Sequence, residues 1–404
     1  MLVFDNTKPI ITIPNVVSNG VLPLKYRPFG KLDWKVSALG FGTMRLPLKS
    51  TNQADVDQAQ SIQLIRYAID HGVNYIDSAY VYHNGVSEVV VGKALEGKYR
   101  SKAKIATKMP TFSVQKEEDL DKVFDLQLKK LKTDCIDFYL LHCLMKPTWQ
   151  KVQESKMIDW AEKQIRHGKI GYLGFSFHDD LELFEEIIDA YDWTFCQIQY
   201  NYLDEHYQAG VEGLKHAASR GLAVVVMEPL AGGLLAVQPP EEIQREWKRT
   251  GISRTPADWG LQWVWNQPEV ATALSGMNSL AQVMQNVESA SNSGFKALTQ
   301  VEIDALSRSR ELFQKYGYIG CTKCHYCSKC PQSIDIPVTL SFLNEYATKR
   351  RDPETQEKIK KQYTLSVPDK HRANNCIHCG QCENVCPQHL PIRQLLSEAS
   401  SSLK

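Results

Sequence analysis

The plainest chemistry in this sequence belongs to its cysteines. Of 11 in 404 residues, eight fall after residue 320, as Cys321-x2-Cys324-x2-Cys327-x2-Cys330-Pro331 and Cys376-x2-Cys379-x2-Cys382-x3-Cys386-Pro387. Three thiolates at three-residue spacing wrap one iron–sulfur cubane, and a fourth that precedes proline serves the other cubane of a pair. By that rule Cys321, Cys324, Cys327 and Cys386 hold one 4Fe–4S cluster, while Cys376, Cys379, Cys382 and Cys330 hold a second. Zinc ribbons also use Cys-x2-Cys pairs, but two compact triads each closed by Cys-Pro favour iron and sulfide. The first motif has two residues before Cys330 where the second has three before Cys386, so its assignment departs from the usual spacing. His325, His378 and His389 are read as surface groups or as donors behind the ligands. Cys135, Cys143 and Cys196 lie far upstream and read as small packing residues.

A second set of reactive groups lies earlier: Asp77, Tyr82, Lys108 and His142. Singly, each has an ordinary structural reading: a helix cap or surface acid, a rim aromatic, a solvated strand end, a satisfied core histidine. Together they matter because each ends or follows one of three consecutive apolar runs. Those runs alternate with helical patterns from Val36 to residue 290. The strands are expected at 36–44, 74–77, 104–108, 135–142, 169–176, 194–199, 222–227 and 271–275, with helices at 55–71, 87–98, 116–132, 155–167, 180–190, 208–220, 257–266 and 279–290. Eight strand–helix units in about 260 residues match a (β/α)8 TIM barrel, which gathers catalytic groups at the C-terminal ends of its strands. An open doubly wound sheet would show a glycine-rich turn after its first strand; Gly40-Phe-Gly-Thr-Met-Arg45 lacks the third glycine.

Charge excludes some partners. With 47 basic and 46 acidic residues and a net charge of +1, nothing points to nucleic acid or an anionic membrane surface. No apolar run reaches the roughly 20 residues of a membrane helix, and the N-terminus lacks the pattern of a secretory signal, so a cytoplasmic location is expected. The expected divisions are an N-terminal extension (1–24), the barrel (25–316) and an iron–sulfur domain (317–404). The long connection from Pro229 to Pro256 contains Gly232-Gly233, whose paired glycines suit close approach of backbone amides to a phosphate.

The barrel segment resembles the aldo-keto reductases. The likeness runs over residues 25–290, through Tyr75-Ile-Asp-Ser-Ala-Tyr-Val-Tyr82, Ile105-Ala-Thr-Lys108, Asp137-Phe-Tyr-Leu-Leu-His142, Leu173-Gly-Phe-Ser176, Gln197-Ile-Gln-Tyr-Asn201 and Ser275-Gly-Met277. It implies a catalytic tetrad of Asp77, Tyr82, Lys108 and His142 that reduces a small carbonyl or oxidises the alcohol. Tyr82 would give the proton, Lys108 would favour its ionised form, Asp77 would hold Lys108, and His142 would orient the carbonyl. The resemblance also implies NADPH or NADH as hydride source, bound through Gly42, Thr43, Met44, Ser176, Gln199, Met227, Pro229, Leu230, Gly232, Gly276, Gln282 and Asn286. Phe177 stands where the family has asparagine, and Met227 where it stacks an aromatic ring. Gly276 and Gln282 replace the cations that hold a 2′-phosphate, which removes the contacts favouring NADPH. Loop position alone offers Tyr80, Trp149, His178 and Tyr202 as substrate neighbours.

The tail, with a helical stretch at 337–361, resembles the mainly α-helical, ferredoxin-like modules that carry two clusters. Hydride transfer moves two electrons and a cluster passes one, so neither half needs the other. Three readings follow: a nicotinamide-dependent reductase with an appended cluster module; a reductase fed by an external carrier such as ferredoxin through the clusters into a flavin or similar acceptor; or a non-catalytic electron-transfer subunit. Retention of all four tetrad groups argues against the last.

Overall fold

The computed structural model describes residues 22–349 and 352–404; the greater part of the N-terminal extension lies outside them. Eight parallel strands close a barrel in the order β10-β3-β4-β5-β6-β7-β8-β9. They are β3 (Leu39–Gly42), β4 (Tyr75–Asp77), β5 (Lys104–Met109), β6 (Ile136–Leu144), β7 (Ile170–Phe177), β8 (Phe195–Gln199), β9 (Ala223–Met227) and β10 (Val270–Gly276). Strands such as Ala-Val-Val-Val-Met in β9 are apolar throughout because helices cover one face and the barrel interior the other. The outer helices start where side chains satisfy their free N–H groups. Asp57, Asp180, Thr255 and Ser279 each accept a bond from the helix's third residue.

Two features depart from expectation. The run 36–44 is not one strand: an antiparallel hairpin, β1 (Tyr26–Phe29) and β2 (Leu32–Ser37), precedes β3 and closes the N-terminal mouth of the barrel. Phe29 packs 4.7 Å from Phe138, 5.7 Å from Phe195 and 6.0 Å from Tyr75, ring centroid to centroid. Gly30 turns the hairpin at φ +56°, where a Cβ would come within 2.7 Å of the backbone at Ala223. Its signal stands in the sequence, since Leu32-Asp-Trp-Lys-Val-Ser37 alternates apolar and polar residues behind the Gly30 turn, leading into the run expected as the first strand. Helices Lys146–Glu154 and Gln300–Lys315 are likewise additional to the eight units.

The hairpin is locked by Arg27. Its buried guanidinium donates to the carbonyls of Trp265, Gln267 and Val270 and lies 4.3 Å over the Phe295 ring. Burial lowers its pKa to about 10, so it stays charged at neutral pH. Arg27→Met would remove the guanidinium donors from those carbonyls, of which that of Gln267 keeps only the Val270 N–H, and is expected to cost about 2–3 kcal/mol. The check is a denaturation midpoint, with the slope unchanged.

Residues 321–404 form a second core. Helices Ile336–Thr348, Pro353–Ser366 and Ile392–Ser402 pack Leu340, Leu343, Tyr363 and Leu396 together, with six of the eight tail cysteines half-buried against them. The expected helical stretch is thus two helices, with Pro353 opening the second.

Candidate active site

At the C-terminal mouth, β4 ends on Asp77, β5 carries Lys108 and β6 carries His142. Tyr82 opens a short 3₁₀ turn after β4. The ladder from β3 to β6 sets their relative height: Gly42 pairs with Asp77, Asp77 with Ala106, and Lys108 with Leu140. Lys108, 1% exposed, donates from Nζ to Asp77 Oδ1 at 2.6 Å, to the Ser78 carbonyl at 2.7 Å and to Tyr82 Oη at 3.3 Å. The Tyr82 ring meets His142 edge-on, 6.1 Å between centroids.

Burial dominates the electrostatics here. It pushes the Tyr82 phenol well above its usual range, reinforced by Asp77 and Glu228 and opposed by Arg45. Lys108 donates to the Tyr82 oxygen, but burial is the largest influence on the phenol and favours its protonated form. Burial likewise lowers Lys108 and raises Asp77, each countered by the other's charge. His142 is driven well below its usual range by burial, then by Lys108 and His178, and is neutral. Gln197, to which sequence gave no role, donates to Asp77 Oδ2 at 3.1 Å. A buried acid, ammonium and neutral phenol in one line can deliver a proton to an oxygen placed beside Tyr82.

Next to this line lies a cavity of about 320 Å³. It brings together Pro229, Leu230, Gly232, Gly276, Gln282 and Asn286, six of the twelve residues named for the cofactor. Arg45, unremarked in the sequence, lines it too, and its guanidinium is paired with Glu228 at 3.1 Å. The other six residues do not line it. Gly42 pairs with Gly276 and Asp77 at the barrel rim, and Met44 and Met227 are half-buried. Thr43 is fully buried, bonding the Asp77 carbonyl and the Ser87 hydroxyl. Ser176 Oγ accepts from the Cys143 N–H at 2.8 Å and so supports that residue's left-handed backbone, φ +58°, beside His142. Gln199 donates to Asp204. Of the substrate neighbours, Trp149 is buried with its indole on Glu186, Tyr202 is buried in the main core, and Tyr80 lies under Lys130.

The tail thiols gather in two places. Cys330, Cys376, Cys379 and Cys382 line one small cavity. Burial raises the pKa of Cys321, Cys324 and Cys327, and each of the three lies close enough to Cys386 to be raised further by it.

The aldo/keto reductase family model matches residues 38–308. The chain belongs to that family. A 4Fe-4S dicluster domain matches residues 320–391. Among relatives, the chain is 29% identical over 236 residues to the uncharacterized oxidoreductase YrpG of Bacillus subtilis, covering 52% of this chain and 68% of that one. It is 26% identical over 311 residues to an NADH-specific methylglyoxal reductase of Escherichia coli, covering 65% and 93%. A solved aldo-keto reductase of Klebsiella pneumoniae in complex with NADPH is 26% identical, with a TM-score of 0.57 over 71% of this chain and 95% of that one.

In this aldo-keto reductase, an oxidoreductase, the dicluster domain is seated on the C-terminal mouth of the barrel. Arg45 donates to the Thr322 carbonyl. Gly232, at φ +67°, lies so close beneath that a Cβ would meet the Thr322 backbone at 2.7 Å. Tyr207 and Gln208 donate to the carbonyls of Gln388 and Pro387. Gln388 Nε2 in turn donates to Gln199 Oε1 at 2.7 Å, and His389 Nε2 lies 2.8 Å from the His178 carbonyl. Tyr326, between Cys324 and Cys327, puts its hydroxyl 3.1 Å from His142 Nε2. Sequence reasoning missed Tyr326 and Gln388 because they stand more than 180 residues from their partners, and no local pattern marks them. Among the described residues no helix is long and apolar enough to cross a membrane.

Proposed function

We propose that the barrel reduces a small carbonyl compound, or oxidises the corresponding alcohol, with Tyr82 as proton donor and a nicotinamide as hydride source, and that the tail holds two 4Fe–4S clusters. The observation that carries the reductase reading is Lys108 Nζ bridging Asp77 and Tyr82 in a buried row beside His142. Lys108 fixes the phenol, Asp77 fixes Lys108, and the protonated phenol gives its proton to the oxygen as charge develops there. NAD(P)H, when bound, supplies the hydride. The residues lining the cavity suit its adenosine and phosphate half: Gly276 is exposed at the rim, and Arg45, Gln282 and Asn286 offer donors. Because Arg45 is neutralised by Glu228, this favours NADH over NADPH, as in the methylglyoxal reductase relative. Thiols in the crossed sets Cys321, Cys324, Cys327 with Cys386, and Cys376, Cys379, Cys382 with Cys330, suit two cubanes, which supply single electrons.

A second reading is favoured by Gln388, which occupies Gln199 and must release it before a nicotinamide carboxamide takes that seat. On that reading the clusters link an external electron carrier to a two-electron acceptor in the barrel, such as a flavin. One experiment separates them. The chain is purified anaerobically, about eight iron and eight sulfide per chain are expected, and methylglyoxal reduction is followed with NADH, NADPH and a reduced low-potential dye in turn. Turnover with NADH supports the first reading. Turnover with the dye alone, together with release of a flavin on denaturation, overturns it in favour of the second.

A further inference from the structure

The cluster loop adds a group to the active site that the barrel lacks. Tyr326 follows His325, whose left-handed backbone, φ +62°, turns the chain over the barrel mouth, and it opens a 3₁₀ turn ending at Ser328. Its ring stands edge-on to His142, 6.3 Å between centroids, and 6.4 Å from Phe112. Tyr82 also meets that imidazole edge-on, 6.1 Å between centroids. Arg45 holds the loop through the Thr322 carbonyl, and Asn344 brackets its start by bonding both the N–H and the carbonyl of Ile319.

The hydrogen bonds decide what each group can offer. His142 Nδ1 is buried and has no partner among the described residues. A buried N–H without an acceptor is rarer and costlier than an unshared lone pair, so the imidazole proton lies on Nε2. Nε2–H therefore donates to Tyr326 Oη, and a neutral imidazole has no second proton to give. The Tyr326 hydroxyl makes no other hydrogen bond among the described residues, so its own O–H remains free to donate. Tyr82 is in the same state, since Lys108 donates to its oxygen and leaves its proton unengaged.

Resting on the carbonyl-reductase reading above, we propose that Tyr326, not His142, is the second hydrogen-bond donor to the carbonyl oxygen of the substrate, facing Tyr82 across the site. His142 acts through Tyr326 as a positioning residue, holding and polarising its hydroxyl. Tyr82 gives up its proton; Tyr326 keeps its own and stabilises the negative charge that builds on the oxygen. The reductase site is thus shared between barrel and cluster loop.

The test uses the full, cluster-loaded chain under anaerobic conditions, with methylglyoxal and NADH. The variants are Tyr326→Phe, His142→Ala, their double and Tyr82→Phe, each checked for unchanged cluster absorption. Removing one such donor is expected to lower kcat about 10²-fold with little change in KM. His142→Ala should fall similarly, and the double variant no further than the worse single, because the two act in series. Turnover of Tyr326→Phe within twofold of wild type, or above it, overturns the proposal, as do losses that multiply in the double variant. A Tyr82→Phe chain that keeps its turnover, or a wild type that has none, sinks the reductase reading itself.

Discussion

Tyr82→Phe is expected to lower kcat for carbonyl reduction by about 10³-fold while leaving nicotinamide affinity unchanged. The change removes one oxygen, which accepts from Lys108 and in the proposed reaction carries the proton given to the substrate. The remaining Lys108–Asp77 pair keeps its own contacts, so the fold should be undisturbed. The pH profile of wild type follows from the direction of the shift. Burial raises the Tyr82 pKa well above its usual value, so the donating, protonated form persists as pH rises. No alkaline loss of rate is therefore expected below about pH 10, the ordinary tyrosine value. Steady-state kinetics with cofactor binding measured separately checks both. A variant with near-normal turnover would mean that the proton comes from elsewhere.

Lys108→Met should abolish turnover and also cost about 3–5 kcal/mol of stability, because it strands Asp77 inside the protein with only Gln197 as donor. Burial already raises Asp77, and Lys108 is the first of the groups opposing that shift. Without it the acid should take up a proton at higher pH, so the variant's deficit should shrink as pH falls and Asp77 becomes neutral. Replacing Asp77 with Asn in the same chain should restore much of the stability and none of the activity. Thermal or denaturant midpoints of the two variants, read beside their rates, make the comparison. A single variant as stable as wild type would show that the ion pair is not what holds this end of the barrel.

These expectations depend on distances that sequence does not carry, yet the residues themselves were legible. Asp77, Lys108 and His142 could be seen because each lies at, or within two residues of, the end of a run of buried, mostly apolar residues, and adjacent parallel strands bring those ends together. Six of the residues proposed for the cofactor share one cavity for a simple reason: Pro229, Leu230 and Gly232 follow β9, while Gly276 ends β10 and Gln282 and Asn286 lie on the helix after it. Thr43 and Ser176 were harder, since a hydroxyl that could face a ligand bonds neighbouring backbone equally well. The N-terminal hairpin had a signal, the strict apolar–polar alternation of Leu32–Ser37, but no helix follows that strand, so it stands outside the eight strand–helix units.

The sequence by itself determined the barrel, the candidate tetrad and the candidate thiol ligands, because alternation of apolar runs and fixed cysteine spacing are local properties of the chain. Only the tertiary structure decided how the two halves meet. Tyr326 on His142 and Gln388 on Gln199 join segments separated by 184 and 189 residues. Such contacts come from the shapes of two folded surfaces and from buried polar groups that must find partners. The state of the tetrad was decided there as well. Spacing could place an ammonium near a phenol, but only the depth of burial fixed which of them gives way.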